Sequence, residues 1–313
     1  MAFWVFICLK MPNDKLKNYL HLHLIVFIWG FTAVLGKLIT IDAMPLVWYR
    51  MTIAASLIFV FIVLQGYSVK VSAKTFLVLL LAGVIIALHW LTFFKAIKVS
   101  NVSVALATMS TGALFTSLLE PIWYGRKMIW YEVVFGLMVV FGLYLIFDVD
   151  TAFSLGMGLA LLSALLGSVF TLINGQLIKT HKPSTISFYE LLSGGLFLSV
   201  YLAINGSFNK TFFTLPFSDW FFVFILASVC TAYAFIAAIK VMRFISPYTV
   251  MLTTNLEPVY GIFLALIVFG QSEKMSPMFY FGTLIIVITI IANGILKNKG
   301  KLKILNKISG KDT

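Results

Sequence analysis

The chain alternates long apolar runs with short polar connections. Ten runs of roughly 18–24 residues can be marked, at 20–39, 45–64, 76–97, 102–119, 129–147, 155–178, 186–204, 217–239, 248–269 and 279–296. Each is long enough to cross about 30 Å of hydrocarbon as an α-helix. None has the strict alternation of a barrel strand, so helices are the predicted elements. The expected fold class is an all-α integral membrane protein with ten transmembrane helices.

The connections carry the charge. With the N-terminus on the cytoplasmic side, 17 of the 23 basic residues fall in inside segments, among them Lys15, Lys17, Lys70, Lys74, Arg126, Lys127, Lys179, Lys182, Lys240, Arg243 and the lysines from Lys297 onward. Four, Lys95, Lys98, Lys210 and Lys274, fall outside, while Lys37 and Arg50 lie within spans. The positive-inside rule therefore predicts both termini cytoplasmic. Composition agrees, with 61% hydrophobic and 11% charged residues, against about 45–50% and 25% in soluble domains. The net charge of +12 is dispersed over the connections, which excludes a nucleic-acid partner and leaves the lipid bilayer as the surroundings. Cys8 and Cys230 make neither a disulfide framework nor a metal cluster. No cofactor or metal is expected. No H-E-x-x-H, G-x-S-x-G or phosphate-binding Gly-Lys loop occurs, so the chain does not read as an enzyme. The apolar A-F-W-V-F-I-C-L run lacks a basic lead and a small-residue cleavage site, so no cleaved signal peptide is expected, and Met11 stands open as an alternative start.

The two halves resemble each other. Shifted by 146 positions, residues 100–142 lie on 246–288 without gaps: Ser100 meets Ser246, Thr108 meets Thr254, and Phe135-Gly136 meets Phe281-Gly282. Earlier, Tyr49 matches Tyr189. The expected organisation is a five-helix repeat at 20–147, a connecting loop at 148–154 and a second repeat at 155–296. Cytoplasmic tails at 1–19 and 297–313 flank them. Five is odd, so the second repeat enters from the opposite side. Such inverted repeats commonly place a transported substrate near the bilayer midplane, at the repeat interface.

Charges at a helix centre cost about 2.5–3.5 kcal/mol on insertion scales, so those present should have a purpose. Glu257 is the deepest acid. Pro258 follows it and removes the helical partner of the Thr254 carbonyl, so the helix should loosen where a cavity can accept free backbone groups. Thr253, Glu257, Tyr260 and Gly261 share one face. Pro258 and Gly261 are the helix-break candidates, and Gly261 admits a close neighbour. Asn255 joins this face only if the helix unwinds. His89-Trp90 in span 3, Trp29 in span 1 and Asn174 in span 6 complete the substrate-binding candidates. For Glu257 and His89, hydrogen bonding as glue between helices is the alternative. Lys37 and Arg50 lie near the outer face, where they read either as a paired basic rim for an anionic or zwitterionic substrate or as side chains snorkelling to the interface. Glu190 follows Tyr189 as Arg50 follows Tyr49, which makes Arg50, Glu190 and Lys37 gating candidates. Glu120-Pro121 copies the Glu257-Pro258 dipeptide but falls at a membrane edge, beside Arg126 and Lys127.

The stretch I-S-P-Y-T-V-M-L-T-T-N-L-E-P-V-Y-G, followed by F-G-Q-S-E-K-M-S and a last helix near Gly282, resembles the end of an EamA module of the drug/metabolite transporter superfamily. A-I-K-V-S-N-V-S-V-A-L-A-T fits the corresponding junction in the first half. The first half departs where Gly125-Arg126-Lys127 replaces the acidic turn and Gly112 replaces the proline, which weakens the case for equivalent helix breaks in both halves. The resemblance implies a permease of a bacterial inner membrane, often an exporter of amino acids or other small metabolites. The expectation is a secondary transporter of a small polar molecule, monomer or homodimer, with Glu257 as candidate carrier of a coupling proton. A passive uniporter and a partner-binding subunit without a substrate are the alternatives.

Overall fold

The computed structural model describes residues 13–125, 130–149 and 153–308. Within them every long apolar run is helical. The helices are α1 (Asn13–Leu38), α2 (Ala43–Leu64), α3 (Ala73–Val99), α4 (Val102–Met109), α5 (Gly112–Tyr124), α6 (Trp130–Val149) and α7 (Ser154–Leu177), then α8 (Pro183–Ile204), α9 (Lys210–Phe213), α10 (Phe217–Ala227), α11 (Ala234–Val241), α12 (Pro247–Thr254), α13 (Glu257–Phe269) and α14 (Pro277–Ile308). A π-helical turn, Ser228–Tyr233, joins α10 to α11. Polar residues start several helices by capping. Ser72, Asn101 and Ser246 accept from the backbone N–H of Thr75, Val104 and Thr249. Gly125 ends α5 at φ 68°, a conformation that an L side chain resists.

Eight helical stretches among the described residues are long and apolar enough to cross a bilayer. The expected spans 129–147 and 279–296 fall on α6 and on the first part of α14, whose apolar portion is Pro277–Thr289. The expected edge pair Arg126 and Lys127 lies outside the described residues, as do the ends of the tails. Residues 102–119 were expected as one helix, yet the chain breaks at Ser110–Thr111 and continues to Tyr124. Ser110 and Thr111 donate their hydroxyls to the carbonyls of Ala107 and Thr108, satisfying groups that the break releases. The Pro258 break falls at Asn255–Leu256, and α12 and α13 reproduce the lengths of α4 and α5, 8 and 13 residues.

The surface is inside out relative to a soluble protein. Leu64, Ile204 and Phe217 are 78%, 81% and 86% exposed, while Arg50, Glu190, Asp219 and Glu273 are buried. In water that arrangement would be unstable; in hydrocarbon it is the expected one. The two halves interlock rather than stand side by side. From the first half, α3 packs on α7 and α8. From the second, α13 packs on α1 and α4, and α6 packs on α14. Glycine sets the closest approach: a Cβ on Gly83 of α3 would lie 3.0 Å from the backbone nitrogen of Gly194 on α8.

Candidate functional site

A cavity of about 110 Å³ lies where the halves meet. Helices α1 to α4 of the first half and α7, α11, α12 and α13 of the second supply its walls. Trp29, His89, Trp90 and Glu257 from the sequence-predicted set all line it. Glu257 is the first residue of α13, directly after the break, where helix N–H groups favour a nearby negative charge. His89 directs Nδ1 to the Ser163 carbonyl at 2.8 Å, and the carbonyl can only accept. That fixes the ring's tautomer and leaves Nε2 as its second polar position. Ser163 returns its hydroxyl to the His89 carbonyl at 2.8 Å, tying α3 to α7. Phe170 and Phe235 stack at 5.4 Å, and Trp90 meets Phe235 at 5.8 Å, forming an aromatic wall.

Arg50 differs most from its sequence-based placement. The expected rim residue is 2% exposed and lines the same cavity as Glu257. Its guanidinium lies over Trp90, 3.8 Å from the ring centroid, and donates from Nε to Thr231 Oγ1 at 2.7 Å.

The structure does not bring Asn255, Tyr260 and Asn174 to the cavity wall. Asn255 sits buried in the break. Tyr260 turns to α1, its ring 5.4 Å from Phe27. Asn174 donates to Glu190 Oε2 at 3.4 Å, a buried polar contact between α7 and α8. Gly261 is the predicted close-approach point, and a Cβ there would lie 3.2 Å from the Gly30 carbonyl of α1. Thr32, Thr171 and Thr254, with Met109 and Met251, complete polar and adaptable parts of the wall. They carry no sequence signal, because such residues also occupy ordinary helix contacts.

The two ends of the cavity differ. At one end Lys37 meets Glu273 at 2.6 Å. Glu273 also accepts from the backbone N–H of Val102 and Ser103 at 3.0 and 2.9 Å and from the Ser103 hydroxyl at 2.9 Å. Asp219 receives the Thr40 hydroxyl at 2.6 Å, and Lys98 donates to the Ile39 carbonyl. This end is cross-tied. At the other end a cleft of about 590 Å³, lined by Glu120, Tyr124, Lys179 and Arg243 among others, shares Met242 with the cavity.

An apolar exterior, buried charges and a small polar cavity between interlocked halves define a multi-pass helical membrane protein with a site fit for a small molecule. The chain belongs to the EamA-like transporter family, whose model matches residues 16–148 and again 154–294. Membership makes it a membrane transporter by class. A solved structure described only as "Crystal structure of protein" is similar over 90% of this chain and 98% of its own, with 15% identity and a TM-score of 0.67. At that identity the likeness shows the fold alone. No curated protein matches the chain.

Proposed function

We propose that the chain is a secondary transporter that exports small polar metabolites, amino-acid-like compounds among them, across a bacterial inner membrane by alternating access. In this reading ten spans form two inverted five-helix repeats, 20–147 and 155–296, joined at 148–154, with the tails 1–19 and 297–313 both cytoplasmic.

Reciprocal bonds between the halves support the inversion. Tyr49 donates to the Phe212 carbonyl in the second half, and its repeat counterpart Tyr189 donates to the Val69 carbonyl in the first. The directions of the first helices agree. The end of α1 reaches Glu273 beside the start of α4 through Lys37. The end of α7 meets the other extremity, where Gly175 lies against Pro247 and Tyr124. The α4–α5 pair runs from one of these ends to the other, so α1 and α7 point in opposite senses.

The observation that carries the transport reading is the cavity itself, walled by both halves and holding Glu257 at a helix break. Relative movement of the halves would expose it to one side, then the other. A partner-binding subunit would instead want Glu257 and His89 on an outer face, and both line the interior. The cross-tied Lys37–Glu273 end is the closed gate in this state, and the Met242 cleft is the open approach. In this reading Lys37 acts as a gate through its contact with Glu273, whereas Arg50 and Glu190 sit too deep to close a rim. Glu257 carries the coupling proton. The test is flux in proteoliposomes under an imposed pH gradient. Wild type should respond to the gradient, and Glu257→Gln should lose that response while remaining inserted. A variant that couples as wild type does would remove Glu257 from the role. Gradient-independent flux in wild type would make the protein a uniporter.

A further inference from the structure

The transport reading leaves Arg50 without a task. Arg50 is fully enclosed, yet its guanidinium is held with unusual care. Thr231 Oγ1 accepts from Nε at 2.7 Å, the face of Trp90 lies 3.8 Å away, and Phe94 flanks it at 5.5 Å. Thr231 is positioned by the π-helical turn, where its hydroxyl donates to the Leu226 carbonyl, five residues back, at 2.7 Å. Such turns occur mostly as single turns inside α-helices, frequently at functional sites. All this fixes the plane of the guanidinium. None of it uses the outer nitrogens, and Nη1 is buried with no partner.

A buried donor left unpaired is costly, and more so when it is charged. Glu257 does not relieve it. The two groups share a cavity and attract each other electrostatically, but among the described residues no ion pair joins them. A planar cation with a free N–H edge suits an anion whose two oxygens accept in parallel, a carboxylate or a phosphate, and the small cavity favours the more compact carboxylate.

We propose that Arg50 is the carboxylate receptor of the central cavity, and that the transported molecules carry a carboxylate which docks on its Nη edge. The proposal rests on the reading of this cavity as the substrate site. Trp90 and Thr231 act as positioning residues, holding the fork in place before the ligand arrives. The aromatic wall of Trp90, Phe235 and Phe170 packs the apolar remainder of the ligand.

The test uses purified full-length protein in a thermal-shift assay with matched probes: L-amino acids, each paired with its amide. An amide keeps the amine and side chain and loses the carboxylate. At least one acid should raise the unfolding midpoint while its amide does not. Arg50→Gln should abolish the response. Arg50→Lys keeps the charge without the fork and should weaken apparent affinity by about tenfold or more. Arg50→Gln risks misfolding, so Thr231→Val and Trp90→Phe, which leave the arginine in place, provide the second arm. Each should weaken acid binding several-fold in monodisperse protein. The proposal is overturned if no acid stabilises wild type, if amides stabilise as well as acids, or if these variants bind acids as wild type does. Flux in proteoliposomes separates it from the transport reading. Transport of amines or amides with indifference to acids would retain the transporter and reject the carboxylate receptor. Arg50-dependent acid binding without any flux would do the reverse.

Discussion

Replacing Glu273 by alanine should open the cross-tied end of the cavity. The carboxylate receives four bonds, from Lys37, the Val102 and Ser103 backbone N–H groups and the Ser103 hydroxyl. Removing it orphans two buried N–H groups at the start of α4, each costing about 1–3 kcal/mol. Lys37 adds little, because its side chain is 28% exposed and can turn to water. Water entering the gap offsets part of the loss, which leaves roughly 3 kcal/mol. If these ties exist only when this end is closed, the closed-to-open ratio falls by about two orders of magnitude, at 1.4 kcal/mol per factor of ten. The assay is labelling of a single cysteine at Met109, on the cavity wall, with Cys8 and Cys230 changed to alanine. A membrane-impermeant maleimide is applied to right-side-out and inverted vesicles. Glu273→Ala should raise labelling at least tenfold from one face and not from the other. Glu273→Gln, which keeps one acceptor oxygen, should fall between. Unchanged labelling in correctly inserted protein would refute the assignment of Glu273 as a closing tie.

Two further substitutions test the packing. Gly261→Val places a side chain against Leu106 and the Gly30 carbonyl where α1, α4 and α13 converge. Overpacking should cost about 1–3 kcal/mol and reduce flux at least tenfold, read by thermal unfolding and proteoliposome uptake; normal flux would show that this contact does not matter to the cycle. Glu190→Gln should leave the unfolding midpoint unchanged or raise it. The new amide can donate to Asn174 Oδ1, which now lacks a partner, as does Glu190 Oε1. A large fall would show that Glu190 needs its charge.

The features that the sequence made legible are those with few physical solutions. A 20-residue apolar run has to be a helix, and an acid near the middle of one needs a polar setting, so Glu257 and its cavity could be read in advance; the proline beside it is the weaker signal, since Glu120-Pro121 lies inside the unbroken α5. His89, Trp90 and Trp29 followed from depth alone. The break at Ser110–Thr111 could not be read, because hydroxyls rather than a proline terminate α4, and Ser and Thr are common inside membrane helices. Arg50 was misplaced for a similar reason. Linear distance from a span end suggests snorkelling, whereas the actual contacts, Thr231 and Trp90, come from elements about 180 and 40 residues away in sequence. Asn255, Tyr260 and Asn174 are as polar as the true lining residues. Which side of a helix faces the cavity depends on α1 and α8, neighbours that pattern alone does not supply. Phe170 and Phe235 were invisible because, in sequence, an apolar residue facing a cavity looks like one facing lipid.

If the cavity between the halves, with Glu257 in its wall, is where a transported molecule binds, that molecule should stabilise the protein through it. This is tested most directly by a thermal-shift screen of purified wild type and Glu257→Gln, side by side, against a panel of small polar metabolites. A ligand at 100 times its dissociation constant stabilises by about 2.7 kcal/mol, enough to move the midpoint by a few degrees. At least one compound should stabilise wild type and leave Glu257→Gln unmoved. Compounds that stabilise both proteins equally, or none that stabilises either, would contradict it.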